Sequence, residues 1–135
     1  MKPLISTFSK VFNLSVTNSI MTLLFVYNAN SGKISALFDA GHKLLSPSTY
    51  QCSLCALTHD TFSENKTWKA FRTKSNLHMK FFHKDEFERH FPNTPIVYPA
   101  VLKLDKDALS MVLNDEALSK IPNVEGLIQR LKTSL

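Results

Sequence analysis

The sequence has few of the features on which small secreted proteins and membrane-spanning proteins depend. Only two of its 135 residues are cysteine, and both lie in one segment, Cys52-Ser53-Leu54-Cys55, a CxxC motif. Two cysteines so close together do not make the disulfide framework of a small secreted scaffold. No stretch reaches the roughly 18 consecutive apolar residues that a transmembrane helix needs. We therefore expect a cytoplasmic protein with no transmembrane segment.

The beginning of the chain lacks acidic residues, because no carboxylate precedes Asp39. It contains Lys2 and Lys10, but no arginine, and it lacks the apolar core and cleavage site of a secretory signal. Its apolar residues recur at nearly helical spacing: Leu4, Phe8, Val11, Phe12 and Val16. We predict that residues 1–20 form an extension, either an amphipathic helix or a disordered tail, and that one domain spans residues 21–135.

What is present is typical of a single globular domain. The chain is 44% hydrophobic and 20% charged, with no internal repeat and no low-complexity segment. A domain of this length buries roughly two-thirds of the surface that its unfolded chain exposes, so it needs neither a disulfide nor a metal to fold. The formal net charge of +5 keeps the protein soluble but says nothing about its fold.

One basic segment has a composition that also occurs in nucleic-acid surfaces. Residues 66–84 include six lysines and arginines and no acid, with aromatic residues between them: Trp68, Phe71, Phe81 and Phe82. Cations alternating with exposed aromatics are typical of surfaces that bind single strands. Core aromatics surrounded by a solvated basic face give the same pattern, and we favour that interpretation. We expect no nucleic-acid partner.

The periodicity of apolar residues predicts the order of helices and strands. It indicates a buried strand at 23–27, an amphipathic helix at 33–45, the CxxC segment, a short basic helix near Trp68, a strand at 77–83, a helical turn at 84–91, two hairpin strands at 99–104 and 109–113, and a final helix capped by Asn123. Strands that alternate with helices predict an α/β fold. We expect a mixed four-stranded sheet flanked by helices.

This order resembles the thioredoxin-like fold, in which a β-α-β half is followed by a β-β-α half. In that family a cis-proline precedes the third strand and faces the CxxC motif. The segment Val97-Tyr98-Pro99-Ala100-Val101 is similar to that element, with Pro99 in the position of the proline. An ordinary trans proline at a strand start is the alternative. The helix predicted at 33–45 is an insertion relative to a typical thioredoxin, and the Trp-Cys-Gly-Pro-Cys context is absent.

A second resemblance rests on short motifs around the cysteines. Tyr-Asn-Ala-Asn-Ser-Gly at 27–32, His42-Lys43, Ser-Pro-x-Thr-Tyr at 46–50 and the CxxC motif are together similar to an uncharacterised family of small bacterial proteins. That resemblance implies no assigned chemistry.

The CxxC motif predicts thiol-disulfide chemistry. If it begins a helix, Cys52 is the exposed thiol beside the first amides, whose partial positive charge favours a thiolate, and Cys55 is the buried resolving thiol. Such a pair exchanges disulfides with a protein partner. The thioredoxin resemblance implies that Pro99 shapes the substrate groove. We therefore expect an oxidoreductase or a redox-responsive protein that needs no cofactor.

Zinc binding is the competing hypothesis. Cys52, Cys55 and His59 have the spacing C-x2-C-x3-H, and residues 55 and 59 would share one helical face. A fourth ligand is available among three further histidines: His42, which we favour, His78 and His83. In this interpretation the protein is a non-catalytic module that mediates protein interactions.

Overall fold

The structure is a computed structural model, and it describes residues 21–30, 52–60 and 63–135. The extension predicted at 1–20, the helix predicted at 33–45 and His42 lie outside the described residues.

In the part of the chain that the structure describes, four strands form one mixed sheet. They are β1 (Thr22–Val26), β2 (His78–Phe82), β3 (Ala100–Asp105) and β4 (Ala108–Leu113), and their order in the sheet is β2-β1-β3-β4. β1 pairs in parallel with β2 and antiparallel with β3, which pairs antiparallel with β4. The predicted mixed four-stranded sheet is confirmed.

Five helices flank the sheet in the described part of the chain. They are α1 (Ser53–Thr58), α2 (Lys66–Lys74), α3 (Lys84–His90), α4 (Asp115–Ser119) and α5 (Val124–Thr133). Asparagine side chains cap α2, α4 and α5 by accepting a backbone N–H of the first turn. The predicted cap at Asn123 is confirmed. In the described residues, none of these helices has the length and apolar character to cross a membrane.

The central strand divides the core into two layers. Because side chains alternate along a strand, Leu23 and Phe25 face one side of β1, and Leu24 and Val26 face the other. The first side is covered by α1, α2, α4 and α5, and the second by α3 through Phe87. All four β1 side chains are fully buried, which explains why this strand is a continuous apolar run.

The hairpin between β3 and β4 turns in two residues, Lys106 and Asp107. Both have positive φ, 53° and 71°, as the favoured two-residue hairpin turn requires. Asp105 pairs with Ala108 across this turn. The turn that the sequence predicts at residues 105–107 is therefore confirmed.

Candidate functional site

The two cysteines lie at the start of α1 and form a disulfide. Cys52 is the N-cap residue of the helix and Cys55 is in its first turn, with their Cα atoms 5.3 Å apart. The CxxC motif thus begins a helix, as the redox hypothesis requires. An N-cap residue has extended backbone angles, here φ −142° and ψ 91°, which turn the Cys52 side chain back toward the helix amides.

Backbone amides surround the sulfur atom of Cys52. Its Sγ accepts an N–H from Cys55 at 3.3 Å and another from Asn28 at 3.4 Å. Asn28 follows β1 by two residues, so this contact joins α1 to the end of the central strand. Hydrogen bonds to the charged form of an acid favour that form, and these two donors would therefore stabilise a Cys52 thiolate after reduction.

Both cysteines are buried, with 4% of Cys52 and 5% of Cys55 exposed. The prediction of an exposed Cys52 thiol is therefore wrong. The reason is that Cys52 caps its own helix with its side chain and packs in the same core layer as Tyr27 and Leu54. The burial of Cys55 agrees with its predicted position.

Pro99 lies at the same end of the sheet as the disulfide. It directly precedes β3, is buried, and follows Tyr98 through a cis peptide bond. Ala100 pairs with Val26, the last residue of β1, and the amide of Asn28 just beyond it contacts Cys52. Of the two states that the sequence left open for Pro99, the structure has the cis state.

A buried polar group follows the cysteines along α1. The Thr58 side chain is fully buried, and its hydroxyl donates to the Leu54 carbonyl at 3.0 Å. Its Oγ1 also lies 2.9 Å from His59 Nδ1. Because a hydroxyl has one hydrogen, which goes to Leu54, the contact with His59 requires Nδ1 to carry a proton. The Tyr27 ring lies against the imidazole, with centroids 6.0 Å apart.

Burial controls the ionisation of these side chains. Desolvation raises the pKa of Tyr27 to about 12, and it lowers the pKa of His59. Both groups are therefore neutral near pH 7. Tyr27 directly precedes Asn28, whose amide contacts the Cys52 sulfur, and His59 follows Cys55 by four residues. Two neutral side chains thus lie close to the disulfide in the chain.

An ion pair joins Glu64 to α2. His59 and Glu64 form an isolated antiparallel bridge, and the Glu64 carboxylate accepts two hydrogen bonds from Arg72 of α2, at 2.5 and 2.7 Å. The Arg72 guanidinium holds the pKa of Glu64 below its usual value. Neither this pair nor the buried Thr58 was predicted from the sequence. The available signal was a polar residue at the buried end of the apolar run 54–57.

The structure does not assemble the predicted zinc ligands within its described residues. In ranges 21–30, 52–60 and 63–135, no three His, Cys, Asp or Glu side chains are grouped so as to hold a metal ion. Both sulfur atoms are bonded to each other, and His83 Nδ1 contacts Glu86 at 2.8 Å in α3. His42 lies outside the described residues, so its predicted role stays a prediction.

The aromatics of the basic segment belong mostly to the core. Trp68 is fully buried, with its ring centroid 5.4 Å from that of Phe25. Phe81 is 38% exposed and stacks on Phe25 at 5.0 Å. The largest ring of the segment therefore stabilises the fold.

Comparison with known proteins identifies no relative: no family model, no curated protein and no solved structure matches the chain. The function is therefore inferred from the geometry of the site.

Proposed function

We propose that the protein is a thioredoxin-like thiol-disulfide oxidoreductase, or a redox-responsive protein of that class, that uses Cys52 and Cys55. The observation that carries the proposal is the disulfide at the start of α1, in which Cys52 Sγ accepts two backbone N–H groups. These donors lower the free energy of the thiolate, which is the attacking form of a cysteine.

Two features of the fold support the thioredoxin-like class. β1, α1, α2 and β2 make a β-α-β half, and β3, β4 and α5 make a β-β-α half. Pro99 precedes the third strand at the sheet end where the disulfide lies. In the proposal Pro99 forms a wall of the site. Because proline has no backbone N–H, this residue donates no hydrogen bond to a bound peptide.

The reaction proceeds in two exchanges. The Cys52 thiolate attacks one sulfur of a partner disulfide, so a mixed disulfide forms and the other partner sulfur leaves as a thiolate, which takes a proton from water. Cys55 then loses its proton and attacks the Cys52 sulfur, which restores the internal disulfide and releases the second partner thiolate. Two protein thiols are oxidised, and one partner disulfide is reduced to two thiols.

Burial limits which partners react quickly. With 4% of Cys52 exposed, a large protein disulfide reaches the sulfur only after the covering residues move. Small disulfides such as oxidised glutathione need a smaller opening. We therefore expect slow exchange with folded proteins and faster exchange with small disulfides, a behaviour that suits a redox-responsive protein.

Trapping the mixed disulfide tests the proposal. We expect Cys55→Ser, treated with oxidised glutathione, to accumulate a glutathione adduct on Cys52, because the resolving thiol is gone. The matched variant Cys52→Ser should form an adduct on Cys55 much more slowly, although the two wild-type residues are equally buried. Mass spectrometry measures both rates. Equal rates, or a folded wild-type protein that forms no internal disulfide under mild oxidation, would contradict the proposal.

Metal analysis separates this function from zinc binding. We expect the purified, reduced protein to contain no stoichiometric zinc. Zinc at one equivalent that is lost in Cys52→Ser and in His59→Gln would instead support the predicted ligand set of Cys52, Cys55, His59 and His42.

A further inference from the structure

A cavity of about 720 Å³ opens between the ends of α2 and α5, and the residues that line it do not include the disulfide or its contacts. Its apolar lining comes from Phe71, Leu77 and Leu135, together with Ala70. Lysines line it from two helices, Lys74 at the end of α2 and Lys132 near the end of α5. Ser75 and Asn76 complete the lining.

The charged side chains that line this cavity are both lysines. No acidic residue lines it, and the nearby segment 66–84 contains six cations and no acid. Among the described residues, none of the ion pairs involves Lys74 or Lys132. The Lys132 ammonium instead lies 6.0 Å from the centroid of the Phe71 ring, so a cation stands directly beside the apolar surface.

The size and lining together define a class of ligand. The cavity is an open groove rather than an enclosed pocket, and its volume is large enough for a small molecule to lie along it. The apolar surface selects for a hydrocarbon chain or ring, and the two lysines select for a negative charge at its end. A second copy of this chain is a poor occupant, because a symmetric contact would oppose lysines to lysines.

We propose that this cavity binds a small amphipathic anion, an apolar chain or ring that ends in a carboxylate or a comparable anionic group. The apolar part lies on Phe71 and Leu77, and the anionic group pairs with Lys74 and Lys132. This site is independent of the disulfide, so neither proposal depends on the other.

The protein carries its own reporter for this binding. Its one tryptophan, Trp68, is buried with its ring centroid 5.7 Å from that of Phe71. We expect decanoate, titrated below its micelle concentration, to change the fluorescence of Trp68 saturably at one equivalent. Decanol and decyltrimethylammonium have the same chain with a neutral or a positive head, and they should bind at least about tenfold more weakly.

Substitutions locate the site. Lys74→Gln and Lys132→Gln should each weaken decanoate binding by up to about fivefold. The control Lys106→Gln changes an exposed lysine of the β3–β4 turn and should leave binding unchanged. Leu135→Ser, which changes a half-exposed side chain, should also weaken it.

The proposal would be overturned by the absence of saturable binding, by equal binding of the cationic amphiphile, or by a dimer in sedimentation that hides the cavity. Full binding by a variant that combines Lys74→Gln with Lys132→Gln would overturn it too. Binding of an acidic peptide without binding of decanoate would also overturn it, because the surface would then recognise a macromolecule.

Discussion

At the scale of single residues, Thr58 connects the helix that carries the cysteines to the side chains beside it. Its hydroxyl donates to Leu54 within α1 and accepts from His59, and its oxygen also interacts with the buried Tyr27. Removing a hydroxyl from an exposed position changes stability little, because water replaces its hydrogen bonds. Removing one from the core leaves its partner groups without hydrogen bonds and lowers stability. Substituting Thr58 therefore tests whether these buried hydrogen bonds stabilise the fold.

We expect Thr58→Val, which keeps the shape and removes the hydroxyl, to lower the free energy of unfolding by about 1 to 3 kcal/mol. Thr73→Val is the matched control. Thr73 makes the same kind of helix bond, to the Lys69 carbonyl at 2.8 Å, but it is exposed to water. Its loss should cost no more than about 0.5 kcal/mol. Urea unfolding measures both, and equal costs would contradict the role of Thr58.

His59 makes the stability of the protein depend on pH. Burial lowers its pKa in the folded protein below the ordinary value of about 6.5. Between these two pKa values the unfolded chain binds a proton that the folded protein does not, so stability falls as the pH falls below about 6.5. Glu64, whose pKa is also lowered, adds a loss only below its own ordinary value of about 4.5.

We therefore expect the free energy of unfolding to decrease between pH 7 and pH 5, and the decrease to be smaller in His59→Gln. Urea unfolding at several pH values measures this. His78→Gln, which removes an exposed histidine of β2, is the matched control for the loss of an imidazole. An unchanged pH dependence in His59→Gln would show that this histidine is not responsible.

At the scale of elements, local sequence specifies where most helices and turns begin and end. Asn65, Asn114 and Asn123 each cap a helix, and Cys52 has the same geometry with a sulfur atom in place of the oxygen. The hydrogen bond from Cys55 to the Cys52 sulfur is thus local, as in the other helix caps. The second donor to this sulfur, the amide of Asn28, comes from 24 residues earlier in the chain. The chemistry of Cys52 combines a local element with a distant one.

The β3–β4 turn offers a test at this scale. Asp107 has φ 71°, a left-handed conformation that a side chain disfavours, so Asp107→Gly should stabilise the protein by about 0.5 kcal/mol. Asp105→Gly, two residues earlier and within β3, should destabilise it by a similar amount because glycine loses more entropy in a strand. Thermal unfolding gives the signs, and the same sign for both variants would contradict this account of the turn.

At the scale of the whole molecule, β1 holds together two core layers on opposite faces of the sheet. Trp68 reports on the layer of α1, α2 and α5, and Phe87 belongs to the layer of α3. Every side chain of β1 from Leu23 to Val26 is buried between the layers. If residues 21–135 act as one domain, a change in one layer must alter the unfolding of both.

We expect Phe87→Leu to lower stability by about 1 to 2 kcal/mol and to shift the Trp68 fluorescence transition by the same amount as the circular dichroism transition. Leu127→Ala, on the Trp68 side, should shift both as well, by about 2 to 5 kcal/mol. A Trp68 transition that stays in place in Phe87→Leu would show that the α3 layer unfolds separately.

The sequence by itself determined the four strands, the hairpin turn and the cap at Asn123, because these depend on periodicity and on side chains within a few residues of each other; it did not predict α4 or its cap at Asn114. It also indicated the CxxC motif as the candidate site, whereas the helix that begins there is a finding of the structure. Only the tertiary structure decided the burial of Cys52, the donor from Asn28, the pairing of Glu64 with Arg72 and the cavity between α2 and α5. Each of these depends on which distant segments pack together, and packing sets the solvent exposure and the charge around a side chain.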